Sequence, residues 1–256
     1  MAEAILHGVL KAGLLSAKEI AVADISADRL KYLQDKYKVQ TIGNNLQALR
    51  AAENILLAVK PQVIDNVLAE INAVNNTQQL IISIAAGVTL EKIDAAQKFR
   101  VVRAMPNTPA LIGQAATAVC YNPLVTDKDK KFVLKLFQSI GLVIETEEEK
   151  LNAVTGLSGS GPAFVFRLMD YFIQAGIQTG LSAEQAGALV YQTFAGSAEL
   201  AKQSGKTLEE LIAQVTSPNG TTQAGRMVLE KSAAAQIIKD TISGAKKRAD
   251  ELAKGK

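Results

Sequence analysis

Short, nearly continuous apolar runs alternate with amphipathic stretches through the first half of the chain. Ile20-Ala21-Val22-Ala23 predicts a strand ending at Asp24, and Ala27 to Tyr37 predicts a helix opening after Ser26. Further strands are predicted at Asn54 to Val59, stopped by Lys60-Pro61, and at Gln79 to Ile84, stopped before Gly87. Arg100 to Arg103, Ala116 to Tyr121 and Leu142 to Ile144 complete the set. Apolar strands separated by amphipathic helices indicate a parallel sheet covered on both faces, the Rossmann-like α/β pattern. Beyond about Glu147 the strand pattern stops. Pro162 to Thr179 predicts a helix closed by Gly180, Ser182 to Gln185 and Thr207 to Glu210 are capping boxes, and further helices start near Thr221 and Ala233. Two domains are expected: a dinucleotide-binding type at 1–147 and an all-helical one at 148–256. The wide apolar faces of the second imply burial against a partner and hence a homo-oligomer.

Composition narrows the chemistry. The 256 residues are 48% hydrophobic with a net charge of +3, and the basic cluster Lys246-Lys247-Arg248 shares a helical pattern with Asp240, Asp250 and Glu251. That is a solvated helix face, so no nucleic-acid partner is expected. No apolar run reaches membrane-span length and no signal pattern opens the chain, so a cytoplasmic protein with no membrane contact is expected. One cysteine, Cys120, and one histidine, His7, argue against a disulfide framework, a metal site and a Ser-His-Asp triad. If the protein is an enzyme, a bound cofactor carries the difficult chemistry. The plain alternative is a binding protein that performs none.

Three polar segments interrupt the apolar pattern: Ala104 to Pro109, Leu157 to Ala163, and Thr216 to Thr222. The last two run directly into helices. A helix start presents unpaired N–H groups and a positive dipole end, so two such loops suit a small carboxylate.

The opening of the chain is unusual for a dinucleotide fold. Met1 to Leu10 is already helical in pattern, Gly13 is its stop signal, and neither a strand nor a Gly-rich turn precedes it. Asp24 follows Ala2 at the distance expected between a G-x-G-x-x-A turn and the acid that binds a ribose hydroxyl. Met1-Ala2 therefore read as the end of such a turn, with the first strand absent. An N-terminally truncated sheet with two facing strand edges and an uncovered apolar layer is expected. A start downstream of the true one is favoured over a degraded, non-catalytic version.

Four segments, Ala58-Val59-Lys60-Pro61-Gln62, Ala104 to Pro109, Val154 to Ala163 and Val215 to Thr222, occur in an order and spacing that resembles the pyrroline-5-carboxylate reductases. The similarity spans essentially the whole chain. It implies a Rossmann domain, a helical domain interlocked with a second subunit as a homodimer or higher assembly, and reduction of 1-pyrroline-5-carboxylate to proline by NADPH or NADH. A non-catalytic relative acting through its helical oligomerisation domain is the alternative, and an imine or keto-acid reductase with another substrate is a third.

By that resemblance, Asn44 or Asn45 lies near the adenosine, Ala58, Val59, Lys60 and Pro61 follow a strand where the cofactor crosses, and Ala85, Ala86 and Gly87 approach the nicotinamide. Met105, Pro106 and Asn107 border the nicotinamide and substrate. Ser217, Gly220, Thr221 and Thr222 form the substrate loop, with the Thr222 hydroxyl facing the ring nitrogen as the catalytic group. Each has a plainer alternative: a turn for the Asn pair and for Ala85 to Gly87, a solvated lysine for Lys60, core packing for Met105, a helix cap for Ser217. Ser158 to Gly161 are partly structural, allowing tight approach of backbone between domains or subunits. Asn219 replaces a usual glycine, which its tolerance of positive φ permits, and Gln203 stands where relatives carry Glu. Asp24 suits a ribose diol and disfavours a 2′-phosphate, which leans towards NADH unless Asp24 only caps the next helix. Arg29 lies too far into that helix to be assigned to a phosphate.

Overall fold

A computed structural model describes residues 1–74 and 76–254. The chain forms two compact units, Met1–Ser160 together with the segment from Gly244, and Gly161–Ser243. In chain order the first contains α1 (Ala2–Lys11), β1 (Ala21–Ala23), α2 (Ala27–Tyr37), β2 (Gln40–Ile42), α3 (Asn45–Ala51), β3 (Asn54–Leu57) and α4 (Ile64–Val74). It continues through β4 (Leu80–Ser83), α5 (Leu90–Ile93), β5 (Arg100–Met105), β6 (Ala115–Tyr121), α6 (Asp127–Gln138), β7 (Gly141–Glu145) and α7 (Leu151–Val154).

β1 and β2 form a parallel pair, and β3 to β7 form a five-stranded sheet in sequence order. β1 and β3 each carry one edge that no strand pairs among the described residues. That is the gap expected where the central strand of a doubly wound sheet is absent. One strand departs from the parallel expectation: β6 runs antiparallel to β5. Only Pro106 to Gln114 connects the two, with a single 3₁₀ turn, and a parallel return needs a longer crossover.

The core follows the period-two alternation of the central strands. Ile81, Val101, Ile55 and Leu57 pack under α3 and α4 with Leu49, Ile64, Leu68 and Ile71. Leu80, Ile82, Val102 and Ala104 face the other way, onto Ala4, Ile5 and Val9 of α1 and Val133, Leu136 and Phe137 of α6. α1 also buries Leu6 against Leu33 and Val39, so this one helix touches the apolar residues of both sheets. Its Gly8 permits that fit, because a β-carbon there would lie 2.5 Å from Ile140 Cγ2.

The compact unit extends past the expected boundary at 147. Leu151 packs on Ala118 and Cys120, and Glu148 pairs with Arg103, so the chain stays on the sheet through a π-helical turn at Thr155–Gly159. The second unit consists of α8 (Gly161–Gln178), α9 (Ala183–Gln203), α10 (Leu208–Val215), α11 (Thr221–Lys231) and the part of α12 (Ala234–Ala253) up to Ser243. Ser182 and Thr207 form the expected capping boxes. Within this unit only Ala186 and Gly187 are buried among the described residues, while Phe166 is 63% and Val228 73% exposed. Helices this apolar and this bare need a partner surface.

Candidate functional site

β3 and β4 end side by side, with Leu57 paired to Ser83. Pro61 opens a 3₁₀ turn after β3, and Ala85-Ala86-Gly87 lead out of β4. Pro61, Ala86, Gly87, Val88 and Lys92 line a cavity of about 300 Å³, walled opposite by Leu252, Ala253 and Lys254. Gly87 has φ +74°, and a β-carbon there would come within 3.1 Å of Leu252 Cβ, so both backbone and space require glycine. Lys92, which sequence reasoning missed, is held by Asp65 at 2.8 Å. Ala58 and Val59 are half-buried, Ala85 is buried and Lys60 is exposed.

Asp24 follows β1. Its Oδ1 accepts a hydrogen bond from the Ser26 N–H at 2.9 Å, and Ser26 itself caps α2 by accepting from Arg29 N–H. Capping thus falls to Ser26, and the second carboxylate oxygen of Asp24 has no hydrogen bond among the described residues. Asn44 Oδ1 caps α3, accepting from Leu46 and Gln47, while Asn45 Nδ2 donates to Glu70 at 2.7 Å. Both amides therefore serve local structure, with the Asn44 Nδ2 left over. Strand C-termini, a glycine at positive φ and a carboxylate with a spare oxygen fit a nicotinamide dinucleotide.

At the end of β5, Asn107 is 8% exposed and uses both ends of its amide. Oδ1 accepts from Ala116 N–H at 2.9 Å, and Nδ2 donates to the Ser158 carbonyl at 3.0 Å. The Met105 methyl lies only 2.5 Å from where a Gly159 β-carbon would be. Met105, Asn107, Ser158 and Gly159 are thus brought together, and Pro106 is buried between the first two. Within the first unit the glycine at 159 makes room for the Met105 side chain, whereas a β-carbon on Gly161 would meet nothing within 4 Å.

A pair that sequence reasoning missed lies next to this group. Arg103, 6% exposed, donates to Glu148 Oε1 at 2.5 Å, and the same oxygen accepts from Leu90 N–H at 2.7 Å. It ties β5 to the loop that carries Gly87. Burial pushes the Cys120 thiol up to about 11 despite the nearby Arg103 charge, so this cysteine is an inert packing residue.

On the second unit, Gly220 is the N-cap of α11 and offers no side chain to its first turn. Gly220 N–H donates to the Ser217 carbonyl at 3.0 Å, and a β-carbon on Gly220 would meet Ser217 Oγ at 2.2 Å. Asn219 takes φ +56°, the left-handed conformation expected of it, and its N–H donates to Gln223 Oε1. Thr221 and Thr222 stand exposed on the open first turn. The arrangement offers N–H groups, a positive dipole end and two hydroxyls to a small carboxylate.

Comparison with known proteins gives a consistent result. Residues 148–252 match the family model described as pyrroline-5-carboxylate reductase dimerisation, and residues 1–87 that for NADP oxidoreductase, coenzyme F420-dependent. A pyrroline-5-carboxylate reductase of Synechocystis sp. is 39% identical over 99% of this chain and 95% of its own length. Its counterpart from Methanosarcina acetivorans is 35% identical over the same shares. Among solved structures, the Coxiella burnetii pyrroline-5-carboxylate reductase superposes with a TM-score of 0.93 at 34% identity, covering 98% of this chain and 94% of that one. The Plasmodium falciparum enzyme, solved with NADP bound, gives 0.87 at 29% identity over the same shares.

Proposed function

The chain belongs to the pyrroline-5-carboxylate reductase family, and we propose that it reduces the C=N bond of 1-pyrroline-5-carboxylate to give proline. The observation that carries this reading is the uncapped start of α11 behind the Ser217 to Gly220 turn. A carboxylate there accepts from the backbone N–H of Thr221 in the open first turn, with the helix dipole favouring its charge, while the Gly220 N–H is taken by the Ser217 carbonyl and holds the turn. NADH or NADPH supplies the hydride when bound. Gly87, Ala86 and Pro61 shape the cleft for the nicotinamide half by leaving space, and Asp24 receives the adenosine ribose. Ala58, Val59, Lys60 and Ala85 complete the strand-end walls, and Asn44 has an amide donor free for the adenosine.

Asn107 and Met105 act through position: they hold the connection after β5 against the π-helical turn. Thr222 orients the ring nitrogen, whose protonated form is the better electrophile, and its hydroxyl or solvent provides the proton. No strongly basic side chain is needed. We also propose that the exposed apolar helices of the second unit pair with a second copy as a homodimer, or in a larger assembly built from dimers. No described helix is long and apolar enough to cross a membrane.

The direct test is oxidation of NADH and NADPH in the presence of 1-pyrroline-5-carboxylate. Turnover, and a Thr222→Ala variant that loses turnover far more than cofactor affinity, are the expected results. Unchanged turnover in Thr222→Ala removes its assigned role. A folded chain that binds neither nucleotide leaves association through the helical unit as its activity.

A further inference from the structure

The donors around one carboxylate point to a determinant of cofactor choice. We propose that Glu3 favours NADH over NADPH by holding Arg29 in an ion pair that keeps its guanidinium from a 2′-phosphate, an inference that rests on Asp24 as the ribose ligand.

Four side chains converge on Glu3. Arg29 Nη2 lies 2.5 Å from Oε2, while Tyr37 OH, Lys36 Nζ and Tyr32 OH lie 2.8, 3.0 and 3.1 Å from Oε1. The Tyr32 ring also sits 5.0 Å from the Arg29 guanidinium carbon, fixing the cation from a second side. Burial works against ionisation of Glu3, but these donors, Arg29 foremost, override it and hold its carboxyl down to about 2. Glu3 is therefore an anion at every pH where the enzyme would work, and Arg29 is already neutralised.

Arg29, expected to lie too far into the helix to serve a phosphate, belongs instead to one turn with Asp24. Ser26 N–H holds Asp24, Ser26 Oγ accepts from Arg29 N–H, and Asp24 is close enough to add to the field stabilising the Arg29 charge. In dinucleotide folds an acid at this place receives the 2′-hydroxyl, and a neighbouring arginine receives the 2′-phosphate. Here the acid keeps a spare oxygen and the arginine is engaged. A 2′-phosphate would meet the Asp24 carboxylate and would have to displace Glu3, whose side chain is only 24% exposed, from its strongest partner. A 2′-hydroxyl meets neither obstacle.

The experiment is calorimetric titration of the full chain with NADH, NADPH and the adenosine probes 5′-AMP and 2′,5′-ADP. Wild type should bind NADH over NADPH, and 5′-AMP over 2′,5′-ADP, by roughly tenfold or more, the size of one lost charge-assisted contact. Glu3→Gln should narrow both gaps about fivefold by improving the phosphorylated ligand. Adding Arg29→Ala to Glu3→Gln should cancel that gain, which a purely structural Glu3 would not produce. Glu3→Asp, which retracts the carboxylate, should move the ratio the same way and serves if Glu3→Gln does not fold. Tighter NADPH binding by wild type, an unmoved ratio in folded Glu3 variants, or a gain that survives Arg29→Ala overturns the proposal alone. Binding of neither dinucleotide and neither probe overturns the site assignment and the proposal with it.

Discussion

Removing either partner of the Arg103–Glu148 pair should have very unequal consequences. Arg103 is 6% exposed, whereas the Glu148 side chain is 29% exposed and also accepts from Leu90 N–H. Glu148→Ala strands a buried guanidinium and a backbone donor. Breaking a buried pair costs about 3–5 kcal/mol, and partial water access to the Glu148 side lowers this to about 3 kcal/mol. For a unit of this size that corresponds to a fall in Tm of about 6–12 °C. Arg103→Met removes the buried charge and fills its space with an apolar chain, leaving Glu148 bonded to Leu90 and reachable by solvent. Its cost should stay within about 1 kcal/mol. The double variant should melt near Arg103→Met, far from the sum of the singles, since its second substitution no longer strands a charge. Calorimetric melts of the four proteins measure this cycle. Equal losses in the two singles, or additive losses in the double, would refute the argument that desolvation of Arg103 dominates. Glu148→Ala should also speed amide exchange at Leu90, next to the Gly87–Val88 wall of the cleft.

Three further outcomes follow from single positions. Gly141→Ala should destabilise by about 3–5 kcal/mol, because φ is +147° and the new methyl would sit 2.2 Å from the Ala115 carbonyl oxygen; denaturant titration checks it. Asn107→Ala leaves the Ala116 N–H and the Ser158 carbonyl without their buried partners and should cost about 2–4 kcal/mol, while Asn107→Asp should retain the Ala116 bond and lose the Ser158 one. Glu3 is depressed from 4.5 to about 2, so its contribution is present above pH 4.5 and is lost as pH falls towards 2. With Arg29 and Lys36 40% and 49% exposed, screening reduces that contribution to about 1–2 kcal/mol; the Tm difference between wild type and Glu3→Gln should be full at pH 7 and close by pH 2.

The fold was legible wherever local periodicity decided it. The apolar runs around Asn54, Gln79 and Arg100 became adjacent parallel strands because both of their faces are covered. The helix from Ala27 to Tyr37 opens at Ser26 as expected, since a cap is a local hydrogen bond. Two features escaped. Gln40–Ile42 is three residues long with a polar first position, too short to show alternation, and it is a strand only because β1 lies alongside. The reversal of β6 is set by the length of its connection to β5, which is a property of topology and not of the strand's own residues.

Site residues divide along the same line. Asn219 was legible because a left-handed turn before a helix is a demand on one residue's backbone, and the open start of α11 is written in the sequence from Ser217 to Thr222. Gly87 likewise announces itself at the end of an apolar run. Glu3, Glu148 and Asp65 gave no signal, because a charge acquires a role only from the partner that folding brings to it. Glu3 meets Arg29 26 positions away, and Glu148 meets Arg103 45 positions away. In each case the carboxylate does no chemistry itself; it governs a cation or a loop beside a group that the motifs had already marked. Under the proposed function, local motifs mark where ligands are held, and long-range ion pairs set selectivity and rigidity at those places. The Glu3–Arg29 pair is where that distinction can be measured, since breaking it should change which nucleotide is preferred and leave the place of binding unchanged.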